Sequence, residues 1–165
     1  MLTVTFAGDP LTLKGEQLKV GDKLPVATLA QPSLAPCSTA DTSGLRVFLT
    51  VPSIDTPVCD LEVKTFEKKA GELSGVTLYS ISVDLPFAWA RWTGDAGIQV
   101  IQGLSDYKGA EFGHATGTFI EELALLTRAV FIVDADDTVV YAEFVPEITN
   151  TPDFEAIYAK LAELA

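Results

Sequence analysis

The sequence predicts an α/β protein: a central mixed β-sheet with helices on both faces. Three observations carry that prediction. Apolar, β-branched runs at residues 45–51 and 76–83 flank a helical segment at 57–73. A hairpin pattern opens the chain. A second hairpin, followed by a helix, closes it. Strands joined through a helix run parallel and hairpin strands run antiparallel, so the combination makes a mixed sheet.

The elements follow in order. Leu2-Thr3-Val4-Thr5-Phe6 alternates, Gly8-Asp9-Pro10 interrupts, and Leu11-Thr12-Leu13 resumes, which is a hairpin signature. Val20-Gly21-Asp22-Lys23-Leu24-Pro25 is a turn-rich connector, and 26–29 reads as a short strand. Residues 45–51 end before Pro52 and fit a buried strand. The spacing predicts a helix from Pro57 to about Leu73, with Val58, Leu61, Thr65, Phe66, Lys69 and Ala70 as an imperfect apolar stripe and Gly71 or Gly75 at its end. Residues 76–83 form a second buried strand, stopped by Asp84-Leu85-Pro86. Residues 87–94 read as a short helix or loop, 100–105 as a short strand, and 119–126 as mixed. The runs 129–133 and 139–145 flank the turn cluster Asp134-Ala135-Asp136-Asp137 and predict an antiparallel hairpin. A last helix covers 153–165, with Thr151 as its cap, Pro152 at its first position, and Phe154, Ile157, Tyr158 and Leu161 at helical spacing. No repeat, low-complexity tract or linker divides the chain, so residues 1–165 are expected to form a single domain.

Composition narrows the function classes. Hydrophobic residues make up 48% and charged residues 21%, as in a globular rather than a disordered chain. The net charge of −12, from 23 acids against 11 bases, repels DNA phosphates and anionic lipid. Nucleic acid and membrane surfaces are therefore not expected as partners. There is no apolar run of about 18 residues that could span a bilayer. Residues 1–6 lack the basic start of a secretory signal. Two cysteines do not make a disulfide framework, so the expected compartment is the cytoplasm. The lone His114 cannot build a His-rich metal site and is expected on the surface or in a turn.

The segment Val51-Pro52-Ser53-Ile54-Asp55-Thr56-Pro57-Val58-Cys59-Asp60 joins a buried strand to a helix. Thr56 suits the N-cap, where its hydroxyl can accept from a free amide. Pro57 suits the first helical position, where its missing N–H costs nothing. Cys59 then falls in the first turn, where unpaired amides and the positive end of the dipole favour a thiolate, the nucleophilic form. Asp60 and Glu62 oppose this, so a cation must come from elsewhere in the chain. Arg128, just before the 129–133 run, and Arg91 are both candidates, and spacing does not choose between them. Position alone leaves Cys59 between an inert core residue and a nucleophile.

Pro52-x-x-x-Thr56-x-x-Cys59 has the spacing of the peroxiredoxin signature. The wider Val51 to Cys59 block, Ser82-Val83-Asp84-Leu85-Pro86-Phe87-Ala88, Arg128-Ala129-Val130-Phe131 and Glu147-Ile148-Thr149 together resemble the bacterial thiol peroxidase subfamily in order and spacing. The resemblance covers nearly the whole chain. It implies a thioredoxin-like fold with an added N-terminal β-hairpin, a homodimer, a hydroperoxide substrate, and no metal or organic cofactor. It implies that Cys59 is the peroxidatic thiol, that Thr56 positions the peroxide, that Arg128 favours the thiolate and holds the peroxide oxygens, and that Pro52 shields the site from water. Attack on the O–O bond would leave a sulfenic acid at Cys59.

The chain departs from that pattern at one place. The subfamily carries a second, resolving cysteine shortly after Asp-Leu-Pro-Phe-Ala, and here that position is Thr93. A threonine hydroxyl cannot condense with a sulfenic acid to form a disulfide. Cys37, the only other thiol, reads as a small residue packed in a loop or edge strand. A resolving role would require its Cα to come within roughly 7 Å of that of Cys59. The expectation is a one-cysteine cycle in which thioredoxin, glutaredoxin or a small thiol reduces Cys59. The competing reading is a peroxide sensor or redox-relay protein without sustained turnover. A thioredoxin-like binding module without a redox task fits the Thr56–Cys59 context less well, and a disulfide oxidoreductase is disfavoured because there is no Cys-x-x-Cys. Trp89 and Trp92 are expected to pack the short helix.

Overall fold

A computed structural model describes residues 3–164. Its N-terminal hairpin pairs β1 (Thr3–Phe6) with β2 (Asp9–Lys14). The turn is Ala7-Gly8, with φ of 50° and 91°. Two positive φ values match the right-handed twist of the flanking strands. Asp9 and Pro10 therefore belong to β2 rather than to the break expected from sequence. The reason is register: Val4 pairs with Leu11, and both are buried. Leu2, expected in the first strand, lies outside the described residues.

The chain continues through β3 (Thr28–Ala30), β4 (Pro36–Ser38), a 3₁₀ turn (Thr39–Asp41), β5 (Leu45–Thr50), α1 (Pro57–Ala70), β6 (Val76–Ser82), α2 (Pro86–Ala96) and β7 (Gln102–Ser105). It ends with α3 (Glu111–Thr116), β8 (Phe119–Ile120), β9 (Leu125–Leu126), β10 (Ala129–Val133), β11 (Val139–Phe144) and α4 (Phe154–Leu164). Among the described residues the large sheet has the order β11-β10-β5-β6-β7-β3-β4. Its centre, β5-β6-β7, is parallel, and the outer pairings are antiparallel. The expected mixed sheet is thus present. A smaller sheet, β1-β2-β8-β9, resolves the 119–126 segment into a short hairpin against β2.

Strand alternation splits the core between two faces. Val47, Leu49, Leu78, Val130 and Ile132 pack with Phe66 of α1, Trp89 of α2, and Ile157 and Leu161 of α4. Phe48, Tyr79, Ile81, Leu104 and Phe131 pack with Phe112 of α3 and Leu29 of β3. Each large side chain taken fully out of water contributes about 1.5–3 kcal/mol. No helix among the described residues is long and apolar enough to cross a membrane.

Several expectations are corrected. The strand placed at 26–29 lies at Thr28–Ala30, because Ala30 pairs with Ser105 at the sheet edge. α1 ends at Ala70 with Gly71 as its cap, and its buried face is Cys59, Glu62, Val63, Phe66 and Ala70. Leu61, placed in the stripe from sequence, is 57% exposed. The phase is set by the tertiary compensation of Glu62 described below. Asp153, rather than Thr151, caps α4: its carboxylate accepts from the Ala156 amide at 3.0 Å. Ala165 lies outside the described residues. β4 and α3 had no sequence signal of their own. α3 is six residues long and is held at its start by the Asp106 carboxylate, which accepts from the Phe112 (3.1 Å) and Gly113 (2.8 Å) amides.

Candidate active site

β5 delivers the chain to the site. Pro52 is buried, and the following loop is tied down by Asp84 beyond the end of β6. The Asp84 carboxylate accepts from Ser53 Oγ at 2.8 Å and from the Ile54 amide at 2.9 Å. It also accepts from Ser82 Oγ, which in turn accepts from the Trp89 indole at 3.1 Å. Thr56 has extended backbone angles (φ −95°, ψ 146°) and caps α1, with Pro57 in the first helical turn. Its hydroxyl accepts from the Cys59 amide at 3.3 Å and donates to the Ser53 carbonyl at 3.1 Å. The local reading of Thr56 as cap and Pro57 as helix start is borne out. Cys59 is 0% exposed and sits in the first turn, where helix amides still lack intrahelical acceptors.

Of the two candidate cations, the fold brings Arg128 to the thiol. Arg128 is 2% exposed, and its Nη2 lies 3.2 Å from Cys59 Sγ. Nη1 donates to Glu62 Oε2 at 2.7 Å, and Nε donates to the Ile148 carbonyl at 3.0 Å. Three anchors leave the guanidinium one orientation. Arg91 lies on α2 instead, 3.8 Å from Asp55, with both side chains exposed. Asp60, expected to oppose the thiolate, turns outward to Lys64 Nζ (2.9 Å) and accepts from the Trp92 indole (3.0 Å).

From sequence alone Glu62 is only an opposing charge. In the structure it is fully buried and orients Arg128. Burial pushes its carboxyl up to about 8; Arg128 offsets this in part, and Glu143 adds to it. A carboxylate three residues after Cys59 shares the face of Val63, Phe66 and Ala70. That is the signal that could have found it, had the stripe been placed in the correct phase.

A cavity of about 270 Å³ opens at this centre, lined by Phe6, Pro52, Thr56, Pro57, Val58, Arg128, Ile148 and Thr149. Its walls are mostly apolar, with the guanidinium as the charged group among them. Phe6 comes from the N-terminal hairpin, which Glu147 fastens to the body. The Glu147 carboxylate accepts from Thr5 Oγ1 (2.9 Å), the Gly8 amide (2.9 Å), the Thr149 amide (3.0 Å) and Thr149 Oγ1 (2.8 Å). Amide donation from Thr149 and Gly8 holds that carboxyl down at about 2.

The two positions relevant to a second thiol lie apart from this cluster. Thr93 is on α2, its hydroxyl donating to the carbonyls of Trp89 (2.9 Å) and Ala90 (3.2 Å). Trp89 is fully buried and packs edge-on against Trp92, as expected of packing residues. Cys37 is on β4, an edge strand, as the packing reading expected. It packs against the core on the face opposite to that of Cys59. His114 is exposed on α3 and stacks on Phe119. Among the described residues no group of three or more His, Cys, Asp or Glu could hold a metal ion.

The family model described as Redoxin matches residues 19–161. The thiol peroxidase of Clostridium acetobutylicum is 49% identical over 94% of this chain and 95% of its own length. That of Halalkalibacterium halodurans is 48% identical over 99% of this chain and 100% of its own. The crystal structure of a peroxiredoxin-like protein from Aquifex aeolicus superposes with a TM-score of 0.94 at 37% identity, covering 100% of this chain and 98% of that one.

Proposed function

The chain belongs to the Redoxin family, and from that premise we propose that it is a thiol-dependent peroxidase that reduces hydroperoxides at Cys59. The observation that carries the assignment of the site is the 3.2 Å contact of Arg128 Nη2 with Cys59 Sγ in the first turn of α1. The Cys59 thiolate attacks one oxygen of ROOH; the S–O bond forms as the O–O bond breaks. Sulfur loses two electrons and becomes the sulfenic acid, and the departing RO⁻ takes a proton to leave as ROH. Negative charge gathers on the leaving oxygen, where preorganised donors have their largest effect. Arg128 and the Val58 amide in the first turn of α1 are those donors. The Thr56 hydroxyl stands between cap and cavity and positions the peroxide. Pro52 closes one wall and keeps water from the sulfur. Phe6 of the hairpin and Arg128 line one cavity, which supports the hairpin and the main sheet acting as one functional unit.

Regeneration uses an external thiol, R′SH. It condenses with the sulfenic acid to a mixed disulfide and water, and a second thiol releases Cys59 and R′–S–S–R′. Two placements support this. Thr93 holds the position of the subfamily's second thiol, and Cys37 sits across the sheet from Cys59. Thioredoxin, glutaredoxin and small thiols all supply this chemistry, and a reducing compartment such as the cytoplasm maintains them. We also place the active chain in a homodimer. The exposed apolar side chains Leu61, Leu85 and Phe87 support that reading, and sedimentation analysis tests it.

Peroxide consumption with excess dithiothreitol, for the wild type and Cys59→Ser, tests the function. Sustained turnover that vanishes in the variant is the expected result. A single equivalent consumed, with no further cycles, would instead favour a sensor.

A further inference from the structure

Arg128 is one buried cation facing two buried acids. Nη2 lies 3.2 Å from Cys59 Sγ, and Nη1 lies 2.7 Å from Glu62 Oε2. Cys59 and Glu62 are both 0% exposed, and Arg128 is 2% exposed. If both acids were ionised, one negative charge would remain in the core without a counter-charge, which is costly. Glu62 Oε1 is buried and has no hydrogen-bond partner among the described residues. The oxygen that no donor reaches is the one on which a proton displaces nothing.

We propose that Glu62 and Cys59 alternate as the single counter-anion of Arg128 during the reaction. While Cys59 is a thiolate, Glu62 is the protonated acid. When Cys59 becomes the neutral sulfenic acid, Glu62 ionises. The step balances as Cys59–S⁻ + ROOH + Glu62–COOH → Cys59–SOH + ROH + Glu62–COO⁻. The proton that the leaving oxygen acquires is matched by the one Glu62 gives up. The charge of the buried cluster is therefore zero before and after. Glu62 acts as a positioning residue whose protonation state follows the oxidation state of its neighbour.

The surroundings of Glu62 agree. Burial works against its carboxylate and pushes the group up to about 8. From β11, Glu143 adds a like charge, and its own carboxylate is occupied by Tyr141 Oη and the Asp153 amide. Just before β10, Arg128 is the one opposing charge among the described residues. On α1 itself, Asp60 is paired outward with Lys64. By reciprocity, removing the thiolate charge must favour loss of the proton from Glu62 as much as that proton favours the thiolate.

The inference rests on Cys59 being the peroxide-reactive thiol, so both must be read in one experiment. The full chain, reduced and ¹³C-labelled at glutamate, is followed by infrared difference spectroscopy as one equivalent of hydrogen peroxide is added at neutral pH. Mass analysis after dimedone trapping reports the Cys59 sulfenic acid. The expected result is loss of a protonated glutamate carbonyl band and gain of carboxylate bands as the sulfenic acid forms, with no such change in Glu62→Gln. A pH indicator in weak buffer should show no net proton uptake for the wild type and about one proton per Cys59 oxidised in Glu62→Gln. If Glu62→Gln does not fold, Glu62→Asp removes the band from the labelled set and serves the same assignment. Stoichiometric sulfenic acid with an unchanged glutamate band would overturn the inference and leave the peroxidase reading standing. An unoxidised Cys59 would overturn that reading and the inference with it.

Discussion

The two cysteines occupy opposed settings in one fold. Cys59 is the more deeply buried, yet it has a capped helix start behind it and a guanidinium against its sulfur. Cys37 is half-buried on edge strand β4, where burial and nearby Asp41 push its thiol up from the ordinary value. Exposure alone would rank Cys37 as the reactive one. The comparison teaches that the charges and dipoles around a sulfur decide its chemistry, while burial decides only what can reach it.

Exchanging the cysteines one at a time breaks the comparison most directly. Cys59→Ser should abolish peroxide consumption, and Cys37→Ser should leave it unchanged, in a coupled assay with dithiothreitol. Loss of turnover in Cys37→Ser would mean that the sheet does not separate the two thiols. The next largest effect is at the cation. Arg128→Ala should lower the second-order rate with hydrogen peroxide by roughly 100- to 1,000-fold, read by stopped flow. The same change leaves the buried Glu62 carboxyl without its hydrogen-bond donor and should cost about 1–3 kcal/mol in urea unfolding. A full-rate Arg128→Ala protein would show that the helix end alone activates Cys59.

The smallest effect is at Glu147, which holds the hairpin wall of the cavity without touching the sulfur. Its folded carboxyl value of about 2 lies below the ordinary 4.5, so the stability it contributes is complete above about 4.5 and is lost as pH falls toward about 2. Glu147→Gln should therefore melt below the wild type at neutral pH and approach it near pH 2. Thermal melts across that range check the convergence.

What could be read directly from the chain was local. The Ala7-Gly8 turn differs by a residue or two from the expected break, but the hairpin itself was plain in the alternation of residues 2–13. Thr56 as cap, Pro57 as helix start and Cys59 in the first turn all follow from residues within a few positions of one another. Capping and turn chemistry act over that range, so the sequence by itself determined them. The parallel β5-α1-β6 unit was equally plain, because each strand is a continuous apolar run.

Only the tertiary structure decided which cation meets the sulfur. Arg128 reaches Cys59 across 69 positions, and on spacing alone Arg91 was an equal candidate. Tertiary structure also decided the phase of α1. A stripe of apolar residues pointed to Leu61, while the buried face carries Glu62, an acid that belongs in a core only once Arg128 is beside it. β4 and α3, short and without period, exist because an edge strand and the Asp106 carboxylate accept them. In each case the deciding free energy belongs to a pair of groups that are distant in the chain, and it exists only after the fold has brought them together.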